Sequence, residues 1–156
     1  MNGLQDKEMV DSLYRASEAG VKVDLIIRGV CTLKTGMPYS KNIRVIRIVD
    51  RFLEHARVFV FLNNGDHQIY MGSADWMKRN LRARVECDFP VYDPELKKEL
   101  IDILNIQLSD NVKACEIDEN LKNQRIVTKG PDIRAQMSIY EYFKNKYTIP
   151  KYSEKL

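Results

Sequence analysis

The order of apolar and polar positions predicts a helix and then a strand near the start of the chain. From Asp6 to Ala19, apolar side chains recur at the spacing of one helix face, and Gly20 stands where a C-terminal cap belongs. Val21 to Ile27 follows at once and is rich in β-branched residues, which favour a central strand. A helix joined to a strand by so short a connection is typical of α/β folds.

The same pattern of apolar, polar and turn residues predicts the remaining elements and one domain over residues 1–156. Gly29 to Asn42 is predicted to be a loop that leaves the carboxyl end of the strand, a common place for ligands. Asn63 to Asp66 are turn residues and predict a hairpin. The tail from Thr148 is expected to fray. We expect an α/β fold, a mixed β-sheet flanked by helices. The other predicted strands are Ile43–Val49, Val58–Leu62, Gln68–Met71, Arg84–Phe89 and Val112–Ile117, and the helical segments are Trp76–Leu81, Pro94–Leu108 and Ile133–Phe143.

Charge, apolar content and cysteine spacing argue against several classes of function. A net charge of +3 is too small for a protein whose affinity rests on a nucleic-acid backbone, so no nucleic-acid partner is expected. No apolar run approaches the ~18 residues of a membrane span. Cys31, Cys87 and Cys115 are too far apart to suggest a zinc site, and reduced, buried thiols are the expectation. These features predict a cytoplasmic protein with no metal ligands of its own.

Arg28 is the first candidate for chemistry. It ends the apolar run that starts at Val23, and a charge at the end of a buried strand is costly unless it is paired or meets a ligand. The planar guanidinium suits two phosphate oxygens at once. A structural salt bridge with a carboxylate is an equally good interpretation at this point.

His55 is the second candidate. It precedes an apolar strand and has cations on both sides, and the stretch Gly72-Ser73-Ala74-Asp75-Trp76 could return to it across the hairpin. A histidine can donate to a phosphoryl oxygen, while small residues let backbone N–H groups approach an anion. Asp75 could instead orient an arginine or cap the next turn, and Trp76 fits the core. His67, beside the hairpin turn, is expected to be exposed and without a role.

The basic stretch from Lys41 to Arg84 contains nine Lys or Arg residues against four acidic ones. Such an excess could steer a polyanion or could be a solvated surface, and composition alone does not separate the two. Lys78, Arg79, Arg82 and Arg84 belong to it.

Four ordered motifs together resemble the second, C-terminal catalytic domain of the bacterial polyphosphate kinase family. They are Val23-Asp24-Leu25-Ile26-Ile27-Arg28-Gly29, Asn42-Ile43-Arg44-Val45, Arg51-Phe52-Leu53-Glu54-His55 and Gly72-Ser73-Ala74-Asp75-Trp76-Met77. The likeness is closest from Leu4 to Pro94 and continues more loosely to Tyr147.

The resemblance implies a phospholipase D-like fold and reversible transfer of the terminal phosphate of ATP to inorganic polyphosphate, with magnesium and a phosphohistidine intermediate. By the motifs, Arg28 looks like the arginine that binds ATP phosphates, and His55 looks like the second active-site histidine. Arg44, Arg51, Ser73 and Asp75 are possible supporting residues. The implied partners are ATP, ADP, polyphosphate and the upstream domains of the same enzyme, which is expected to be a homo-oligomer.

The phosphorylated histidine, the magnesium-associated arginines and the adenine-binding residues of the family belong upstream of this stretch, so the isolated chain is expected to be inactive. The broader phospholipase pattern has a lysine two residues after the histidine and an aspartate seven after it. Here these positions are Arg57 and Leu62. Two other functions stay open: a phospholipase D-like phosphodiesterase acting as a dimer, and a non-catalytic polyanion-binding module.

Overall fold

The computed structural model describes residues 1–147, and the predicted fraying of residues 148–156 lies outside them. The helices are α1 (Lys7–Glu18), α2 (Lys78–Ala83), α3 (Pro94–Leu108) and α4 (Ala135–Lys146). The strands are β1 (Val23–Ile26), β2 (Ile43–Ile48), β3 (Arg57–Phe61), β4 (Gln68–Gly72), β5 (Asp88–Val91), β6 (Ala114–Ile117) and β7 (Asn123–Arg125). No helix in this part of the chain is long and apolar enough to cross a membrane.

The strands form two sheets. The larger has the order β1-β2-β6-β7, with β1 and β2 parallel and the other pairs antiparallel. The smaller is antiparallel with the order β3-β4-β5. The α/β class and the mixed sheet are therefore confirmed, whereas the hairpin belongs to a second sheet rather than to the mixed one.

Alternation along β2 gives the larger sheet two apolar faces. Ile43 and Val45 pack with residues from α1 and β1 in one cluster, which also holds Leu4. Ile46 and Ile48 face the other way and pack with Ala135 at the start of α4. The central strand is thus buried from both sides, as a parallel pair covered by helices requires.

Two aspartates cap the N-termini of their helices. The Asp6 side chain accepts hydrogen bonds from the backbone N–H groups of Glu8 and Met9, which caps α1. Asp93 does the same for α3, and Pro94 follows it at the first helical position.

Two predictions need correction, and one strand was not predicted. The strand predicted at Arg84–Phe89 begins only at Asp88, where it pairs with Gly72 of β4. Strand β7 was not predicted, since Asn-Gln-Arg shows no apolar alternation and its three residues are exposed. Cys87 is exposed rather than buried because it lies in the connection that precedes the edge strand β5. Cys31 is buried, and all three thiols are free.

Candidate functional site

Arg28 lies just beyond the carboxyl end of β1 and is held by a neutral partner. Its Nε and Nη2 donate to the side-chain oxygen of Asn2, at 2.9 and 2.8 Å. The backbone N–H of Gly29 donates to the carbonyl of Asn2 at 2.8 Å, so residue 2 lies close against this strand end. Within residues 1–147, no carboxylate forms an ion pair with Arg28. The positive charge is therefore oriented but not neutralised.

His55 lies in the connection between β2 and β3, and its side chain is exposed. The guanidinium of Arg57 lies against it, with Nη1 at 2.9 Å from Nδ1 and Nη2 at 3.0 Å from Nε2. Nη1 also donates to the carbonyl of His55 at 2.8 Å. A guanidinium has no acceptor, so any ring nitrogen that it bonds is unprotonated, and in the neutral ring the other nitrogen carries the proton.

Arg57 is held in turn by Asp75. Its Nη2 and Nε donate to the two carboxylate oxygens at 2.8 and 3.2 Å. Both residues are buried, Arg57 at 8% exposure and Asp75 at 3%. The alternative in which Asp75 orients an arginine is thus the arrangement found, and the phospholipase lysine position is filled here by a paired arginine.

Asp75 joins the two candidates into one network. Its Oδ1 also accepts from the backbone N–H groups of Asn2 and Gly3, at 2.8 and 3.0 Å. Burial alone would raise the pKa of Asp75, but the hydrogen bonds from Arg57, Gly3 and Asn2 outweigh it and lower that pKa. A continuous chain of contacts therefore runs from Arg28 through Asn2, Asp75 and Arg57 to His55.

The other candidate residues lie in different surroundings. Ser73 donates to Glu86, and its Oγ accepts the N–H of Cys87 at 3.1 Å. Hydrogen bonds from Ser73 and then Asn80 lower the pKa of Glu86. Ser73 is thus occupied by the connection between β4 and β5.

Of the arginines named from sequence, Arg44 contacts Glu116 on β6 at 3.5 Å, and Arg51 is exposed with no side-chain partner in the described part of the chain. Arg82 of the basic stretch is paired with Glu8 at 2.8 Å, which weakens the case for a polyanion surface there. His67 is half-buried rather than exposed, and its carbonyl accepts from Lys97 at 2.8 Å.

Sequence reasoning missed Asn2 as a partner and treated Arg57 only as a departure from a pattern. The contact of Asn2 with Arg28 joins residues 26 positions apart, and that of Arg57 with Asp75 joins residues 18 apart. Only the charge of Arg57, two residues after His55, was a usable signal.

Two surface grooves, of about 490 and 880 Å³, are lined by neither Arg28 nor His55.

Comparisons with known proteins identify the family of this chain. Residues 1–136 match the family described as polyphosphate kinase C-terminal domain 2. The chain is 51% identical over 148 residues to a polyphosphate kinase of Vibrio parahaemolyticus, covering 93% of the chain and 21% of the relative. It is 49% identical over 148 residues to that of Escherichia coli K12, with the same coverage.

A solved structure is also similar. The crystal structure of polyphosphate kinase from Porphyromonas gingivalis superimposes with a TM-score of 0.92 at 55% identity, over 94% of this chain and 23% of that one. The chain thus spans about a fifth of the length of the curated relatives it matches. The predicted phospholipase D-like α/β fold is confirmed, and the chain belongs to the polyphosphate kinase C-terminal domain 2 family.

Proposed function

We propose that this domain supplies Arg28 and His55 to the phosphoryl-transfer site of a polyphosphate kinase that moves the terminal phosphate of ATP to and from polyphosphate. One observation carries the proposal: Arg28 is fixed at a strand end by an amide instead of a carboxylate. An oriented arginine without a counter-ion among residues 1–147 is suited to an anionic ligand.

The network gives each residue a role. Arg28 stabilises charge on phosphate oxygens, and His55 donates a hydrogen bond or a proton from its protonated ring nitrogen, which cannot accept a hydrogen bond from Arg57. Asp75 keeps the Arg57 guanidinium in place and neutralises it, so that Arg57 orients His55 without being free to compete for phosphate. Arg51, which is exposed and precedes His55 by four residues in the same connection, is a proposed supporting contact for the anion.

Other parts of the proposal rest on the family and not on this chain. Residues 1–147 contain no group of three or more His, Cys, Asp or Glu side chains that could hold a metal ion. None of these residues is therefore proposed to bind magnesium. The proposed partners are ATP, ADP, polyphosphate and the remaining domains of such a kinase. A cytoplasmic location and a homo-oligomeric complete enzyme stay predictions.

The test is calorimetric binding of tripolyphosphate and of ATP to this chain, at low and moderate salt, with and without magnesium. Arg28→Ala and His55→Ala should each weaken binding about tenfold to a hundredfold, since a charge-assisted hydrogen bond contributes about 1.5–3 kcal/mol. Arg15→Ala, an exposed arginine on α1, and His67→Ala are matched controls that should leave binding unchanged.

The kinase assay completes the test. In a complete kinase that carries this domain, either variant should lower turnover about a hundredfold or more. Turnover close to that of the unchanged enzyme would refute the assignment.

The two rival functions predict other results. Binding that ignores Arg28→Ala but weakens with Lys78→Glu and Arg82→Glu would support a polyanion-binding module. Phosphodiester hydrolysis by this chain, abolished by His55→Ala, would support a dimeric phosphodiesterase.

A further inference from the structure

The segment that carries His55 has no regular structure of its own. Residues 49–56 connect β2 to β3 without a helix or a strand. Burial does not hold the segment either, since the side chains of Phe52 and Leu53 are 59% and 80% exposed. Its conformation must therefore come from polar contacts with other elements.

Gln136, in the first turn of α4, makes the central contact. Its Oε1 accepts the backbone N–H of Phe52 at 2.9 Å, and its Nε2 donates to the carbonyl of the same residue at 2.8 Å. One amide thus satisfies both backbone groups of Phe52, as a neighbouring strand would. Nε2 also lies 3.1 Å from Oε2 of Glu54, the residue just before His55.

Further contacts add to this attachment. Gln107 of α3 donates to Oε1 of Glu54 at 3.0 Å, so two helices hold that carboxylate. Arg134 donates to both oxygens of Asp50 at 2.6 and 2.8 Å, which fixes the other end of the segment. Asp110, almost fully buried, accepts the backbone N–H of Ala135 at 2.7 Å and thereby anchors the start of α4.

We propose that Gln136 is a positioning residue for His55. The inference rests on the proposed function, because it gives Gln136 a role in catalysis only through His55. Gln136 is itself 7% exposed, so it has few alternatives to the contacts it makes. The position requires a donor and an acceptor on one side chain of this length, which glutamine has and glutamate and alanine lack.

The first measurement is amide hydrogen exchange in this chain. Gln136→Ala should make the Phe52 amide exchange about tenfold faster or more, since it loses its acceptor. Gln136→Glu keeps an acceptor for that N–H but loses the donor, and should fall between. The control Asn145→Ala, which removes an exposed amide from the same helix, should change nothing. Unchanged exchange within β2 would show that the fold is intact.

The second measurement is turnover in a complete kinase that carries this domain. Gln136→Ala should lower kcat about tenfold to a hundredfold with little change in KM, as misplacement of a catalytic group does. In a His55→Ala background it should cost nothing further, which a general loss of stability would not produce. An equal loss in both backgrounds, or no loss in either, would overturn the proposal.

The exchange experiment also separates this proposal from the proposed function. If His55→Ala leaves turnover unchanged, the proposed function fails whatever Phe52 does. If His55→Ala lowers turnover but Gln136→Ala speeds exchange at Phe52 without lowering turnover, only the positioning role is wrong.

Discussion

Removing the carboxylate of Asp75 should be among the most damaging single changes in the chain. Asp75→Asn leaves the buried Arg57 guanidinium without its counter-ion, and the loss of one partner of a buried pair costs about 3–5 kcal/mol. Arg57 keeps its hydrogen bond to the carbonyl of His55 at 2.8 Å. We therefore expect a loss near the lower end, about 3 kcal/mol, against a total stability of about 5–15 kcal/mol.

The assay is urea unfolding of this chain, followed by far-ultraviolet circular dichroism because the single tryptophan, Trp76, adjoins the changed residue. A matched control is Glu141→Gln, which breaks the ion pair with Lys144 on α4, where both side chains are more than half exposed. That change should lose only a small fraction of what Asp75→Asn loses. Arg57→Met combined with Asp75→Asn should recover much of the loss, because no unpaired charge then remains buried and the amide oxygen still accepts from the N–H groups of Asn2 and Gly3.

The pH dependence gives an independent check. The folded state lowers the pKa of Asp75, so the pair stabilises the fold above the ordinary aspartate range and loses this contribution as the pH falls below about 4. The difference between the unchanged chain and Asp75→Asn should therefore shrink from pH 7 to pH 3. A loss below about 1 kcal/mol at pH 7, or an equal loss at both pH values, would refute the reasoning.

Two more predictions follow from local geometry. Hydrogen bonds from Arg134 lower the pKa of Asp50 from 3.8 to about 2. In the same urea assay, Asp50→Asn should therefore lower the free energy of unfolding at pH 7 by about 1 kcal/mol, after allowance for solvent screening. This loss should become progressively smaller as the pH falls from about 4 to 2. Gly29→Ala should cost about 1–3 kcal/mol and weaken tripolyphosphate binding, since its Cβ would lie 2.7 Å from the carbonyl oxygen of Asn2. Gly130→Ala, with nothing within 4 Å, is its control in thermal unfolding and calorimetry.

The sequence predicted those parts of the fold that local patterns determine. Helices α1 and α3 were predicted close to their observed bounds because helix formation is encoded locally, although their aspartate caps, Asp6 and Asp93, were not identified from the sequence. Strand β2 could be predicted from the sequence because its apolar residues are buried on both faces of the sheet. Strand β7 has no such signal, since it exists only through its pairing with β6.

The candidate site was likewise predicted only in part. Arg28 and His55 were found because a charge and an imidazole stand beside apolar strands, and because their motifs resemble a family. Their supports were not found, since Asn2 and Gln136 are ordinary amides in the sequence. What gives them a role is contact with Arg28 and Phe52, 26 and 84 positions away, which no local pattern encodes.

The two supports lie at the ends of the region that matches the family, residues 1–136. Asn2 fixes Arg28 from one end, and Gln136 fixes the segment of His55 from the other. The part between them contains both proposed phosphate-binding residues but neither support. A shorter domain could keep the central strands and still lose the geometry of the site, since each candidate residue is positioned by an amide outside its own motif. The unit that presents this site is therefore close to the whole matched region, and α4 belongs to it.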